Sequence, residues 1–278
     1  MDQPPSRPEE QPEETPPTTT LGEWNGAIDR ALARGAADDG ARMVQIVLAH
    51  LPRHLATYQR LLLCTWQLKR WNEGEDWARR LLQADPGNPI AWQAIAAATE
   101  ERGRRAQAQA MWQRAFAMSP YAPEIRAGLA RTSLDDPEAL TLDLAALAML
   151  YLRGGRWEGA ARLYRQLVKA DPRRIDFQIC LMVALWQNGA GEEAYALARH
   201  LVQNRPHLLL AWVVLDAIGD QDDQALAEHP IRTMDPDGEY VSGWLGLPIV
   251  TPAMTTPPTL IVRADEGAWL VAYGELAA

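Results

Sequence analysis

Cysteine is scarce in this 278-residue chain: Cys64 and Cys180 are its two, and neither belongs to a CxxC or Cys/His spacing. That excludes a disulfide framework and fits a reducing, cytoplasmic compartment. Both lie inside apolar runs, where a free thiol is ordinarily a packed side chain. Long apolar runs are missing as well. The stretch LTLDLAALAMLYL contains Asp143 and stops at Arg153, short of the roughly 18 residues a spanning helix needs, so no membrane insertion is expected. The opening residues, MDQPPSRPEEQPEETPPTTT, hold proline, glutamate and threonine where a secretory leader would have a basic end and an apolar stretch. They read as a disordered acidic tail over 1–20.

Catalytic signatures are absent too. There is no GxSxG, no phosphate-cradling glycine loop and no HExxH, so the chain reads as no enzyme and as needing no cofactor. The carboxylate pairs Glu100-Glu101 and Glu192-Glu193 fall at expected helix ends and turns, where solvated charge explains them. His50 and His54 are four apart, but Pro52 between them ends the helix on which they would share a face. Asp235-Pro236-Asp237-Gly238-Glu239 has part of a calcium loop without its later oxygen ligands, and a plain turn is the expectation. Neither motif on its own predicts a metal site. Arg102, Arg104 and Arg105 cluster without a basic stripe or interleaved aromatics, which speaks against a nucleic-acid partner.

The net charge of -9 is unevenly spread. Residues 1–20 carry -4, residues 216–278 carry -9, and the body between them carries +4. An acidic end could fold back on the body, although charge solvated for solubility is the simpler reading.

What the chain does have is a period. Prolines at 52, 86, 120, 172 and 206 are spaced 34, 34, 52 and 34 apart. Twelve residues before each stands a small residue, Gly40, Gly74, Ala108, Ala160 or Ala194, and earlier in each unit a large one, Trp24, Tyr58, Trp92 or Leu144, with Gln178 in the last. Each unit carries two apolar faces at helical spacing, such as Tyr58, Leu61 and Leu62, then Trp77, Ala78, Leu81 and Leu82. A polar turn separates them, and proline closes the second, after aspartate in Asp85-Pro86 and Asp171-Pro172, because the residue before proline is driven out of the helical region. The small residue lets the two helices of a hairpin approach closely.

This pattern resembles the tetratricopeptide repeat family over about 190 residues. The resemblance implies an all-α fold, an α-solenoid of helical hairpins over 21–54, 55–88, 89–121, 137–174 and 175–208 with a capping helix at 208–218. The 52-residue interval holds one helix too many, at 122–134, and predicts two subarrays with a break in superhelical phase between them. Beyond 218 helical periodicity stops; 219–278 reads as an acidic linker and a small β-hairpin, Leu260 to Arg263 against Trp269 to Tyr273 around Asp265-Glu266-Gly267.

Functionally the resemblance implies a scaffold or adaptor that binds a protein, as a peptide or helix, in a concave groove. Gln59, Leu63, Trp66, Gln93, Ala97, Glu100, Met149, Leu152, Ala184 and Trp186 are the groove candidates. The basic residues that family members use to grip a terminal carboxylate are not evident there. The alternative is a structural subunit of a homo-oligomer or larger complex, assembled through the C-terminal hairpin.

Overall fold

The computed structural model describes residues 18–134, 136, 138–254 and 258–274. Helices follow one another in hairpins: α1 (Leu21–Ala33) with α2 (Ala37–His50), α3 (Leu55–Gln67) with α4 (Trp71–Ala84), and α5 (Pro89–Glu101) with α6 (Arg105–Met118). The single helix α7 (Pro123–Thr132) interrupts them. Pairing then resumes with α8 (Leu144–Arg153) and α9 (Trp157–Ala170), α10 (Ile175–Gln187) and α11 (Gly191–Asn204), and α12 (Leu209–Ile218) and α13 (Gln221–Met234). No helix among the described residues is long and apolar enough to cross a membrane.

The repeat has a hydrogen-bonding basis as well as an apolar one. The residue six positions after each seam proline donates to that proline's carbonyl: Tyr58 to Pro52, Trp92 to Pro86 (2.8 Å), Gln178 to Pro172 (2.6 Å) and Trp212 to Pro206 (2.8 Å). Gln178 therefore keeps the donor while giving up the ring, which explains why an amide can stand where Tyr58, Trp92 and Trp212 place an aromatic. Trp24 has no seam before it, and its buried Nε1 is without a partner.

Within the first five hairpins the turn uses a left-handed residue, since the chain must reverse in about three positions, whereas the α12 to α13 turn passes through an extended Gly219. Gly35, Gly103, Gly155 and Gly189 supply the left-handed residue, and Lys69 takes the same place with φ 55°. The small residue of the second helix is needed for close approach. A Cβ on Gly74 would lie 3.0 Å from Thr65 Oγ1 of its own hairpin, while one on Gly40 would lie 3.1 Å from Cys64 Sγ of the next hairpin, so there the small residue serves packing between repeats. Both cysteines are buried and free, and burial pushes the Cys64 thiol up to about 12.

The inserted helix packs against α6 and α5 as α3, α5, α10 and α12 each pack on the hairpin before them, and Arg126 Nη1 reaches Pro120 O (3.2 Å) in the seam arrangement. No second helix follows it. Instead α8 also packs on α6, so one helix carries two successors. A second apolar cluster forms at this junction around the fully buried Trp112, with Phe116, Ile125 and Leu129. Gly128 allows it, because a Cβ there would come within 2.3 Å of the Trp112 ring.

The C-terminal part departs from expectation in three ways. Residues 221–234 form a helix and not a linker: the Asp220 side chain caps it by accepting from Asp223 N (2.9 Å), and Ala227, Ile231 and Met234 are buried. So α12 is the first helix of a sixth hairpin and not a terminal cap. Next, the strand at the end is real but its partner is not. Thr259–Ile261 (β2) pairs antiparallel with Thr18–Thr20 (β1), whereas 269–273 belongs to a helix, α15 (Ala264–Tyr273). A Glu266 carboxylate that accepts from Arg263 N (3.0 Å) starts that helix where the hairpin turn was expected. Finally, the acidic end does fold back on the body, through a short helix α14 (Glu239–Leu245). The expected tail at 1–20 falls outside the described residues up to 17, and its last three residues are the strand β1.

Candidate interaction site

The first helices of successive hairpins present side chains to a common face, and residues 235–245 of the same chain lie across it. Asp235-Pro236 ends α13 as Asp85-Pro86 ends α4, but Gly238 (φ 71°) then turns the chain back over the repeats. A side chain at that position would also collide, its Cβ lying 3.0 Å from Ile249 O and Met254 Sδ.

Four hairpins contribute. From α1, Asn25 Nδ2 donates to Glu239 Oε2 (2.6 Å). From α3, Arg60 donates to Glu239 Oε1 and holds Asp29 with two bonds of 2.9 and 2.7 Å. Arg60 is buried, which disfavours its charge, but the two carboxylates outweigh that and raise its pKa. At the seam before α5, the Tyr240 hydroxyl donates to Asp85 Oδ2 (2.7 Å) and accepts from Asn88 Nδ2 (2.9 Å). Burial pushes the Asp85 carboxyl above its usual range, against the hydrogen bonds from Tyr240 and the Gly87 N–H. From α8, Arg153 Nη1 donates to Gly243 O (3.2 Å) and its guanidinium lies 5.6 Å from the centroid of the buried Trp244 ring.

The remaining C-terminal residues are themselves tied to the repeats. Ala253 N donates to the buried Asp216 of α12 (3.1 Å). Helix α15 packs on α1, where Arg30 and Arg34 donate to the carbonyls of Tyr273 and Ala272, and the Tyr273 hydroxyl donates to Asp39 (2.6 Å).

The residues singled out from sequence are distributed differently. Met149, Leu152 and Ala184 are buried in the main core, and Ala97 in the smaller cluster. Trp66 is half-buried between repeats, its ring 5.2 Å from Trp71 and 6.5 Å from Trp112. Glu100 is engaged within the chain, accepting from Trp112 Nε1 (3.1 Å) and pairing with Arg131 (3.0 Å). Gln59, Gln93 and Trp186 are half-buried and Leu63 is exposed. The polar residues that hold 235–245, among them Asn25, Arg60, Asp85 and Asn88, carry no apolar-periodicity signal. A hint was present in Asp235-Pro236, a further seam signature 30 residues after Pro206.

One cluster could hold a metal: His54 at the N-cap of α3 comes together with Asp235 and Asp237, donor atoms within 4.8 Å of one another. The two motifs that predict nothing separately thus share a site. His50, by contrast, is exposed at the end of α2.

The tetratricopeptide repeat family matches residues 26–89 and 145–208. Among solved structures the chain is similar to a tetratricopeptide repeat protein from Parabacteroides merdae ATCC 43184, at 12% identity over 80% of this chain and 82% of that one, with a TM-score of 0.33. It is similar also to the structure of Naa15/Naa10 bound to HypK-THB, at 16% identity over 90% of this chain and 41% of that one, with a TM-score of 0.32. No curated protein matches the chain. The two matched regions coincide with hairpins on either side of α7, α1 to α4 and α8 to α11, and these hairpins are similar to tetratricopeptide repeats.

Proposed function

We propose that this protein is an interaction scaffold whose face of first helices receives a peptide or short helix, and that its own segment 235–245 is the occupant in this state. The seating of that segment supports the reading: an acid, a tyrosine and a tryptophan within six residues each meet a different hairpin. A protein partner would compete by presenting the same chemistry, a carboxylate for Arg60, a hydroxylated ring for the Asp85 and Asn88 pair, and an indole under Arg153. Binding through a few such anchors is how a helix in a groove gains both affinity and register. Gln59, Leu63, Gln93 and Trp186 extend the proposed surface as rim residues. The reading as an oligomer built through a C-terminal hairpin loses its second strand, since β2 is paired within the chain.

The test is a labelled peptide of residues 235–247 titrated against the full chain and against a full-length Tyr240→Ala/Trp244→Ala variant. The variant should bind the peptide at least tenfold more tightly than the wild type, and adding Arg60→Glu should abolish binding. Equal or absent binding in both chains would reject the proposal.

A further inference from the structure

We propose that His54, Asp235 and Asp237 form a binding site for a divalent transition-metal cation of the Zn2+ type, clasping the C-terminal segment to the turn between α2 and α3. This does not depend on the scaffold reading, because it concerns the chain's own closure.

The His54 side chain is fully buried, and its Nδ1 lies 2.7 Å from Thr57 Oγ1. With that nitrogen donating to the hydroxyl, Nε2 carries a lone pair pointed away from α3, the arrangement in which a hydrogen bond on one ring nitrogen prepares the other as a metal ligand. Nε2 has no hydrogen-bond partner. It faces Asp237 Oδ1 at 3.6 Å, too long for a hydrogen bond and close to the separation of two ligands sharing one small cation. Asp235 is fully buried and uses its oxygens to accept from Tyr240 N and Val241 N (both 2.9 Å), which aims the carboxylate and leaves lone pairs free. Among the described residues no arginine or lysine pairs with either carboxylate. One buried and one partly exposed carboxylate thus converge on the imidazole, and a divalent ion would draw the three together. One nitrogen and two oxygens make a mixed donor set that suits Zn2+ or Mn2+ better than Ca2+, with a remaining position for water.

Untagged full-length protein, stripped with a chelator and freed of it, is titrated with Zn2+, Mn2+ or Ca2+ alone by calorimetry and by competition against a chromophoric chelator. One equivalent of Zn2+ should bind at micromolar Kd or tighter, with Ca2+ at least a hundredfold weaker. Asp237→Asn and His54→Ala should each weaken Zn2+ by at least thirtyfold, whereas His229→Ala, on the exposed side of α13, should leave it unchanged. Thr57→Val, a positioning change, should weaken Zn2+ by about tenfold. Saturating Zn2+ should raise Tm in the wild type, leave Tm unmoved in Asp237→Asn, and slow proteolysis between 246 and 258. Asp237, partly exposed, keeps the test usable if His54→Ala fails to fold. Absence of one-equivalent Zn2+ binding in folded wild type would overturn the proposal and leave a plain His54–Asp237 ion pair. So would binding that Asp237→Asn leaves intact.

Discussion

Residues 55–118 and residues 219–274 are both mostly helical, yet they are held in different ways. The first stretch is built from contacts between neighbours: each helix packs on the next, and each seam closes over six residues. In the second, α13 still packs on its neighbour α12, but residues 235–274 are held largely by partners 37 to 243 positions away, most of them polar or charged. A repeat can be lengthened or interrupted without losing its local rules, as α7 shows. The C-terminal segment has no such independence, since its position depends on Asn25, Arg60, Asp85 and Arg153 all being in place.

Breaking the local side at its most buried point should have the largest effect. Trp112→Ala removes a fully buried ring from the cluster at the α6 and α7 junction and should cost about 3–5 kcal/mol, read as a lower midpoint in urea unfolding. The long-range side should be less costly to break and selective in what it loosens. Tyr240→Phe leaves Asp85 buried with one donor fewer, at about 1–3 kcal/mol, and should accelerate hydrogen exchange in 239–245 before it reaches α3 to α6. Arg60→Met removes a charge whose two carboxylate partners stay partly in water, so the cost should be about 1–2 kcal/mol, seen as roughly tenfold less protection of the same segment. If α3 to α6 loosen equally in either variant, the two regions are not separable.

Smaller effects sharpen the repeat side. Gln178→Leu deletes the seam donor and should cost about 1 kcal/mol, whereas Gln178→Trp should be close to neutral; equal melting curves would show that the seam bond contributes nothing. Lys69→Gly relieves the left-handed residue in the α3 to α4 turn and should stabilise by about 0.5–1 kcal/mol, raising Tm by a few degrees.

The hairpins were legible because their rules are local: proline ends a helix, a small residue admits its neighbour, and apolar residues recur at helical spacing. The sixth hairpin was missed because α12 is a turn shorter than α10, which moved its Asp-Pro four residues out of register. The groove candidates were legible only in part. Periodicity says which face of a helix is apolar but not which neighbour covers it, so Met149, Leu152 and Ala184 fell into the core.

By itself, then, the sequence determined the all-α repeat, its seams and the place where the stack changes, since each depends on interactions within one period. Tertiary structure alone decided that 235–245 lies on the first helices, that β2 pairs with β1, and that His54 meets Asp235 and Asp237. Those pairings join residues far apart in the chain, and a buried charge or a bare imidazole nitrogen has no local signature until the fold supplies its neighbours.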